Sequence, residues 1–255
     1  MKNIIQSFIV AIAMYSKIPV PNVEWNKDNM KYAMCFFPFI GAIIGGAVYA
    51  VANLLALSEM SNVFNTCILI LIPVIITGGI HLDGLLDTAD ALSSFQTMER
   101  RLEILKDSNA GAFAIIIGIA YFILDFGVWY ELTLKALPII AVGYVLSRAL
   151  SGLAVVTFKC ARNSGLAATF SDMAHKKTVR NTMFVYIVVC IGLMLFLNPI
   201  LGGLGILTAA ICFIWYRQMS YSKFGGITGD LAGFFLQVCE LAIAFAVIIG
   251  SKYIG

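Results

Sequence analysis

The sequence predicts an all-α fold. It is a polytopic membrane bundle of about seven transmembrane helices plus an N-terminal amphipathic or hydrophobic helix, in one domain over residues 1–255. Two observations carry this expectation. Apolar residues make up 60% of the chain and charged residues only 12%, about half the charged share of a soluble domain. Mean hydropathy is accordingly +0.92. Apolar windows recur along the whole chain at about the 20 residues that a helix needs to cross a hydrocarbon core.

Residues 4–14 are apolar but run into Lys17 and Ile18-Pro19-Val20-Pro21 without a small-residue cleavage site. They read as an interfacial helix rather than a signal peptide. Spans follow at about 36–57, 63–80, 112–134, 136–158, 182–197, 200–216 and 231–250. Two of these, 182–197 and 200–216, are short, so they tilt little or borrow flanking residues. Cys35, Cys67, Cys160, Cys190, Cys212 and Cys239 form no C-x-x-C pair and fall mostly inside spans. That predicts buried thiols, neither disulfides nor metal ligands. No low-complexity tract or long linker divides the chain.

The net charge of +3 says less than its distribution. Lys2, Lys17, Lys27, Lys31, Arg100, Arg101, Lys106, Lys159, Arg162, Lys176, Lys177, Arg180, Arg217 and Lys223 lie before span one or after spans two, four and six. The opposite side holds only Lys135 and Lys252. By the positive-inside rule the N-terminus and the long loops are cytoplasmic. Loops on the other side are minimal: Ser58–Asn62, Glu131–Ala136 and Asn198–Pro199. A transporter needs a pathway reachable from both sides and usually carries internal repeats, of which none is evident. An enzyme acting on cytosolic substrates needs polar equipment on one face only.

The stretch that carries most chemistry is His81-Leu82-Asp83-Gly84-Leu85-Leu86-Asp87-Thr88-Ala89-Asp90, directly after the apolar run Val63–Ile80. On a helix, Asp83, Asp87 and Asp90 fall within about 60° of one another, with Leu85, Ala89 and Leu92 roughly opposite. No basic residue interleaves them. Three such carboxylates repel one another unless a cation sits among them, and all-oxygen ligands suit Mg²⁺. Unpaired charge at a membrane boundary is costly, which argues against a merely solvated helix end. Gly84 weakens the helix and permits close approach of a ligand or backbone. His81, a lone histidine at a helix end, is read as a hydrogen-bonding residue outside the catalytic set.

Glu99-Arg100-Arg101-Leu102-Glu103-Ile104-Leu105-Lys106-Asp107 reads as a short amphipathic surface helix. Arg100, Arg101 and Lys106 suit a pyrophosphate, the arginines bidentately. Asp107, ahead of Ser108-Asn109-Ala110-Gly111, is a fourth metal ligand or a helix cap. Phe224-Gly225-Gly226-Ile227-Thr228-Gly229-Asp230 places glycines before a helix, where free N–H groups bind phosphate. Asp230 there completes a metal site or caps span seven. Within the spans, Arg148 and Glu240 pair with each other, or Arg148 reaches a phosphate. Asp125 is placed toward the opposite side, snorkelling or capping. Arg162, with Asn163, Ser164 and Gly165, either holds a nucleotide phosphate or is one more positive-inside residue.

Together, Ser16-Lys17-Ile18-Pro19-Val20-Pro21, the block from His81 to Leu92, Lys106-Asp107-Ser108-Asn109-Ala110-Gly111-Ala112-Phe113, Ser147-Arg148-Ala149 and Gly225-Gly226-Ile227-Thr228-Gly229-Asp230 resemble the cobalamin synthase family, the adenosylcobinamide-GDP ribazoletransferases. Gln237 and Glu240 look like that family's last helix. Leu86 and Ala91 stand where smaller residues are expected. The resemblance implies a multi-pass enzyme of the bacterial plasma membrane with a cytoplasmic active face. It also implies the reaction: adenosylcobinamide-GDP and α-ribazole, or its 5′-phosphate, give adenosylcobalamin, or its phosphate, and GMP, with Mg²⁺. The expected partners are these substrates and the lipid bilayer, with homo-oligomerisation open and no nucleic acid.

In this reading Asp83, Asp87, Asp107 and Asp230 hold the metal. Asp90 or Asp107 accepts the hydroxyl proton, and the choice stays open. Arg100, Arg101, Lys106, Arg148, Arg162, Gly226 and Gly229 bind substrate. Two alternatives compete. A CDP-alcohol phosphotransferase acting on lipid would release CMP, although the Ala-Arg pair after the second aspartate is missing. An ion-coupled transporter would use Asp83, Asp87 and Glu240 and would move solute across sealed vesicles without releasing nucleotide.

Overall fold

The computed structural model describes residues 2–107, 109–163 and 165–254; Ser108 and Ser164, which belong to two of the candidate motifs, lie outside them. The described residues contain no strand. The helices in order are α1 Lys2–Tyr15, α2 Lys27–Met30, α3 Phe37–Leu55, α4 Asn62–Thr77, α5 Ile80–Ser93, α6 Met98–Ile104, α7 Ala112–Tyr130, α8 Leu137–Thr157, α9 Leu166–Met173, α10 Lys176–Leu197, α11 Pro199–Phe224 and α12 Gly229–Tyr253, with a 3₁₀ turn Ala33–Phe36 before α3.

Six described segments are long and apolar enough to cross a membrane, and the bent pair α4–α5 brings the number to seven. This is the expected polytopic helical bundle. α8 and α12 form its centre. α3 packs on α8 through Gly41 and Gly45, where the two backbones nearly touch. α7 and α10 lie outside and turn Ile115, Ile119 and Ile123, and Val185, Val188 and Val189, outward. Such a surface is costly in water and suited to lipid.

Of the two alternatives for the short spans, borrowing flanking residues holds, and one other expectation changes. The segments read as 182–197 and 200–216 are the 22-residue α10 and the 26-residue α11. Each continues into its polar flank because Lys176, Lys177, Arg180, Arg217 and Lys223 have long stems that let a helix run past the apolar core. Asp125 neither snorkels nor caps. It is buried in the bundle, in a small polar group with Tyr121, Trp129, Tyr144, Gln237 and Glu240. All six cysteines are free thiols; Cys35, Cys190, Cys212 and Cys239 are buried as expected, whereas Cys67 and Cys160 are half-buried.

Candidate active site

The site begins with a break in a span. α4 has 16 residues, about 24 Å, which is short of a full crossing. It ends at Gly78 (φ +66°), and α5 starts after Gly79 (φ +80°). Two successive left-handed residues, a conformation natural only to glycine, turn the chain by 95°. The N-terminal segment closes over this corner. The Lys17 N–H donates to the Ile76 carbonyl at 2.8 Å, and the Lys17 side chain lies on Gly78. A cation at the C-terminus of α4 is electrostatically favourable.

α5 then packs across the start of α12 at two glycines. A Cβ on Gly84 would meet the Asp230 carbonyl oxygen at 2.5 Å, and one on Gly233 would meet the His81 carbonyl oxygen at 3.1 Å. The close approach expected at Gly84 is therefore to backbone. It sets Asp83 and Asp87 beside Asp230, so that Asp83, Asp230 and Asp90 all repel the Asp87 charge. Leu86, the larger residue noted in the sequence, fits over Gly118 of α7.

Asp230 accepts from Arg162 Nη2 at 3.1 Å and from the Thr228 hydroxyl at 3.2 Å. Arg162 also reaches the Leu102 carbonyl at 3.3 Å. Its loop is stitched to the turn before α12 by Ala161 N–H to Ile227 O and Ile227 N–H to Lys159 O, both 2.9 Å. Capping of α12 falls to Thr228, whose oxygen accepts from Leu231 N–H at 3.2 Å. The cap alternative for Asp230 is thus excluded. Gly229 opens the helix, and among the described residues no acceptor takes its N–H.

The other candidates have partners of their own or lie exposed. Asp107 is exposed and accepts from Asn109 N–H and Nδ2 at 3.0 and 2.9 Å, which holds its carboxyl below the usual carboxylate range. Gly111, not Asp107, precedes α7, so Asp107 does not cap that helix. Arg100 pairs with Glu103 at 2.6 Å on the surface, and Lys106 is exposed. Arg101 turns toward α11 and approaches the Lys223 carbonyl at 3.5 Å. The Gly226 N–H is spent on the Ser220 carbonyl at the end of α11, and Gly226 packs on the backbone of 159–161, which corrects its expected phosphate role. Arg148 takes its other alternative: Nη1 lies 2.6 Å from Glu240 Oε1 in a pair that is 1% and 8% exposed.

Asp83, Arg162, Gly229 and Asp230 line a cavity of about 310 Å³. Its deeper wall was not foreseen. Tyr15, Phe37, His81 and Phe170 cluster there, with Tyr15 ring centroids 4.3 Å from Phe37, 6.2 Å from His81 and 5.8 Å from Phe170. Ser151 completes it. These residues come from α1, α3, α5, α8 and α9, so no local spacing signalled them.

The donor set fits a hard cation by its chemistry: carboxylate oxygens from two helices, mutually repelling, with Arg162 on Asp230 as their ion pair. Among the described residues, no three His, Cys, Asp or Glu side chains stand close enough to hold an ion as they are.

Fold and site together define an integral membrane helical protein with an acidic, partly cationic cavity at the basic-loop face. The sequence profile of the cobalamin-5-phosphate synthase family matches residues 7–248, and the chain belongs to that family. It is 51% identical over 250 residues to an adenosylcobinamide-GDP ribazoletransferase of Lachnoclostridium phytofermentans, covering 98% of this chain and 96% of the relative. A protein of the same name from Clostridium botulinum (strain Alaska E43) is 33% identical, covering 96% and 98%. One from Treponema denticola is 32% identical, covering 93% and 95%. No solved structure matches the chain.

Proposed function

We propose that this protein transfers the adenosylcobinamide-phosphate group of adenosylcobinamide-GDP to a ribose hydroxyl of α-ribazole or its 5′-phosphate, with Mg²⁺, at the cytoplasmic face of a bacterial plasma membrane. GMP leaves, and adenosylcobalamin or its 5′-phosphate forms. The observation that carries this reading is the meeting of Asp83, Asp87 and Asp230 at the α5–α12 crossing, beside Arg162 and a cavity of nucleoside size.

Asp83, Asp87 and Asp230 would hold Mg²⁺, which when bound neutralises the pyrophosphate and its leaving oxygen. The oxygen of the attacking ribose hydroxyl bonds to the cobinamide-side phosphorus. The bond from that phosphorus to the bridging oxygen breaks, and GMP departs with that oxygen and the electron pair. The hydroxyl proton passes to a carboxylate. Asp90 shares the α5 face with Asp83 and Asp87, whereas Asp107 is engaged by Asn109, which favours Asp90 of the two. Arg162 steadies Asp230 and offers positive charge to a phosphate. The Gly229 N–H at the start of α12 offers a donor to the same anion.

The test is purified protein in detergent with Mg²⁺, adenosylcobinamide-GDP and α-ribazole, with GMP measured and an EDTA control. GMP formed in step with the corrinoid product is the expected result. CMP release from a CDP-alcohol, or solute flux without nucleotide release, would sink the proposal.

A further inference from the structure

Resting on the reaction proposed above, we infer that the 310 Å³ cavity is the seat of the acceptor nucleoside, with its base held by His81 among Tyr15, Phe37 and Phe170. Size is the first argument. A cavity near the lower end of the ligand-pocket range takes a nucleoside and has no room for a corrin ring. Wall chemistry is the second. His81, Phe37 and Phe170 are buried and carry flat faces on which an aromatic heterocycle stacks. The Tyr15 hydroxyl is already donating to Met34 Sδ at 3.4 Å.

The third argument is an unpartnered group. His81 Nε2 is buried and, among the described residues, has no hydrogen-bond partner. A buried ring nitrogen without a partner is costly unless something else supplies one. A benzimidazole carries one unsubstituted ring nitrogen, an acceptor for an Nε2–H, and is otherwise apolar. Guanine presents several donors and acceptors on two edges, which this wall leaves unsatisfied apart from His81 and Ser151. The base therefore belongs to the acceptor rather than to the departing nucleotide. The cavity's charged residues, Asp83, Arg162 and Asp230, then face the ribose and its attacking hydroxyl. Asp83 is exposed, whereas His81, Phe37 and Phe170 are buried, so the nucleoside enters base first.

Two variants and one analogue test this by equilibrium dialysis of α-ribazole against the purified full chain, which needs no turnover. His81→Phe keeps the stack and removes the donor; it is expected to weaken α-ribazole about tenfold. The KM for adenosylcobinamide-GDP should stay within about twofold, since no donor group touches His81. An indole riboside lacking the free ring nitrogen should bind wild type and His81→Phe equally. Ala168→Phe, which fills the cavity from α9, is expected to abolish α-ribazole binding and leave adenosylcobinamide-GDP bound. Unchanged α-ribazole affinity in both variants, while wild type still releases GMP, overturns the subsite and leaves the reaction standing. A rise in the adenosylcobinamide-GDP KM instead overturns it in favour of guanine. Wild type that neither binds α-ribazole nor releases GMP overturns the reaction itself, and the subsite with it.

Discussion

Gly84 and Asp230 touch: the α carbon of one lies so near the carbonyl of the other that a methyl group on Gly84 would come within 2.5 Å of the oxygen. The contact is to backbone, so no side chain can swing away. Gly84→Ala should push α5 off the start of α12 and separate Asp83 and Asp87 from Asp230. A displacement of about 1 Å in such a group costs about a hundredfold in rate. Initial rates of GMP release, with insertion checked by size-exclusion chromatography, measure it. Wild-type rates would mean that the crossing does not position the site.

The aspartates should not behave alike. Asp83→Asn and Asp87→Asn are each expected to lower GMP formation by about a thousandfold, because each removes charge from the group facing the pyrophosphate. Asp107→Asn should stay within about threefold of wild type, since Asp107 is exposed and occupied by Asn109. Equal losses at all three positions, read from initial rates at saturating Mg²⁺, would return Asp107 to the ligand set.

Removal of the divalent ion should stop turnover and change stability together. Mutual repulsion among Asp83, Asp87, Asp90 and Asp230 is relieved by an ion, so Mg²⁺ should raise the unfolding temperature of wild type. The rise should shrink in Asp87→Asn. Thermal unfolding followed by intrinsic fluorescence, with and without EDTA, reads both effects. GMP formation that persists in EDTA would exclude the ion.

Arg148 and Glu240 should matter for folding and little for substrate affinity. Glu240 also accepts from the Ser147 hydroxyl at 2.8 Å, so the pair is fixed on both sides. Arg148→Met strands a carboxylate in the bundle and should cost about 3–5 kcal/mol. Replacing Glu240 by Leu in the same chain should recover much of that. Unfolding temperatures of the single and double variants, alongside KM for both substrates, separate a structural pair from a phosphate ligand.

The shared face of Asp83, Asp87 and Asp90 was legible because helical spacing alone decides it. The corner that aims this face was not. Gly78 and Gly79 at the end of an apolar run read as a span leaving the membrane, and nothing local reports that both take left-handed backbone. Asp230 was legible as a candidate, but its partner Arg162 is 68 residues away and meets it through two stitched turns. Arg148 illustrates the converse: sequence offered two partners, and burial selected Glu240. His81 was set aside as a lone histidine, because its aromatic neighbours arrive from three other helices.

The stitching of residues 159–161 to Ile227 uses main-chain atoms only. Its geometry is therefore indifferent to which side chains Lys159, Cys160 and Ala161 carry. The main-chain bonds themselves would survive an exchange of those side chains and would keep Arg162 opposite Asp230. Variation along this rim is thus a cheap route to new selectivity, with the scaffold beneath it left unaltered.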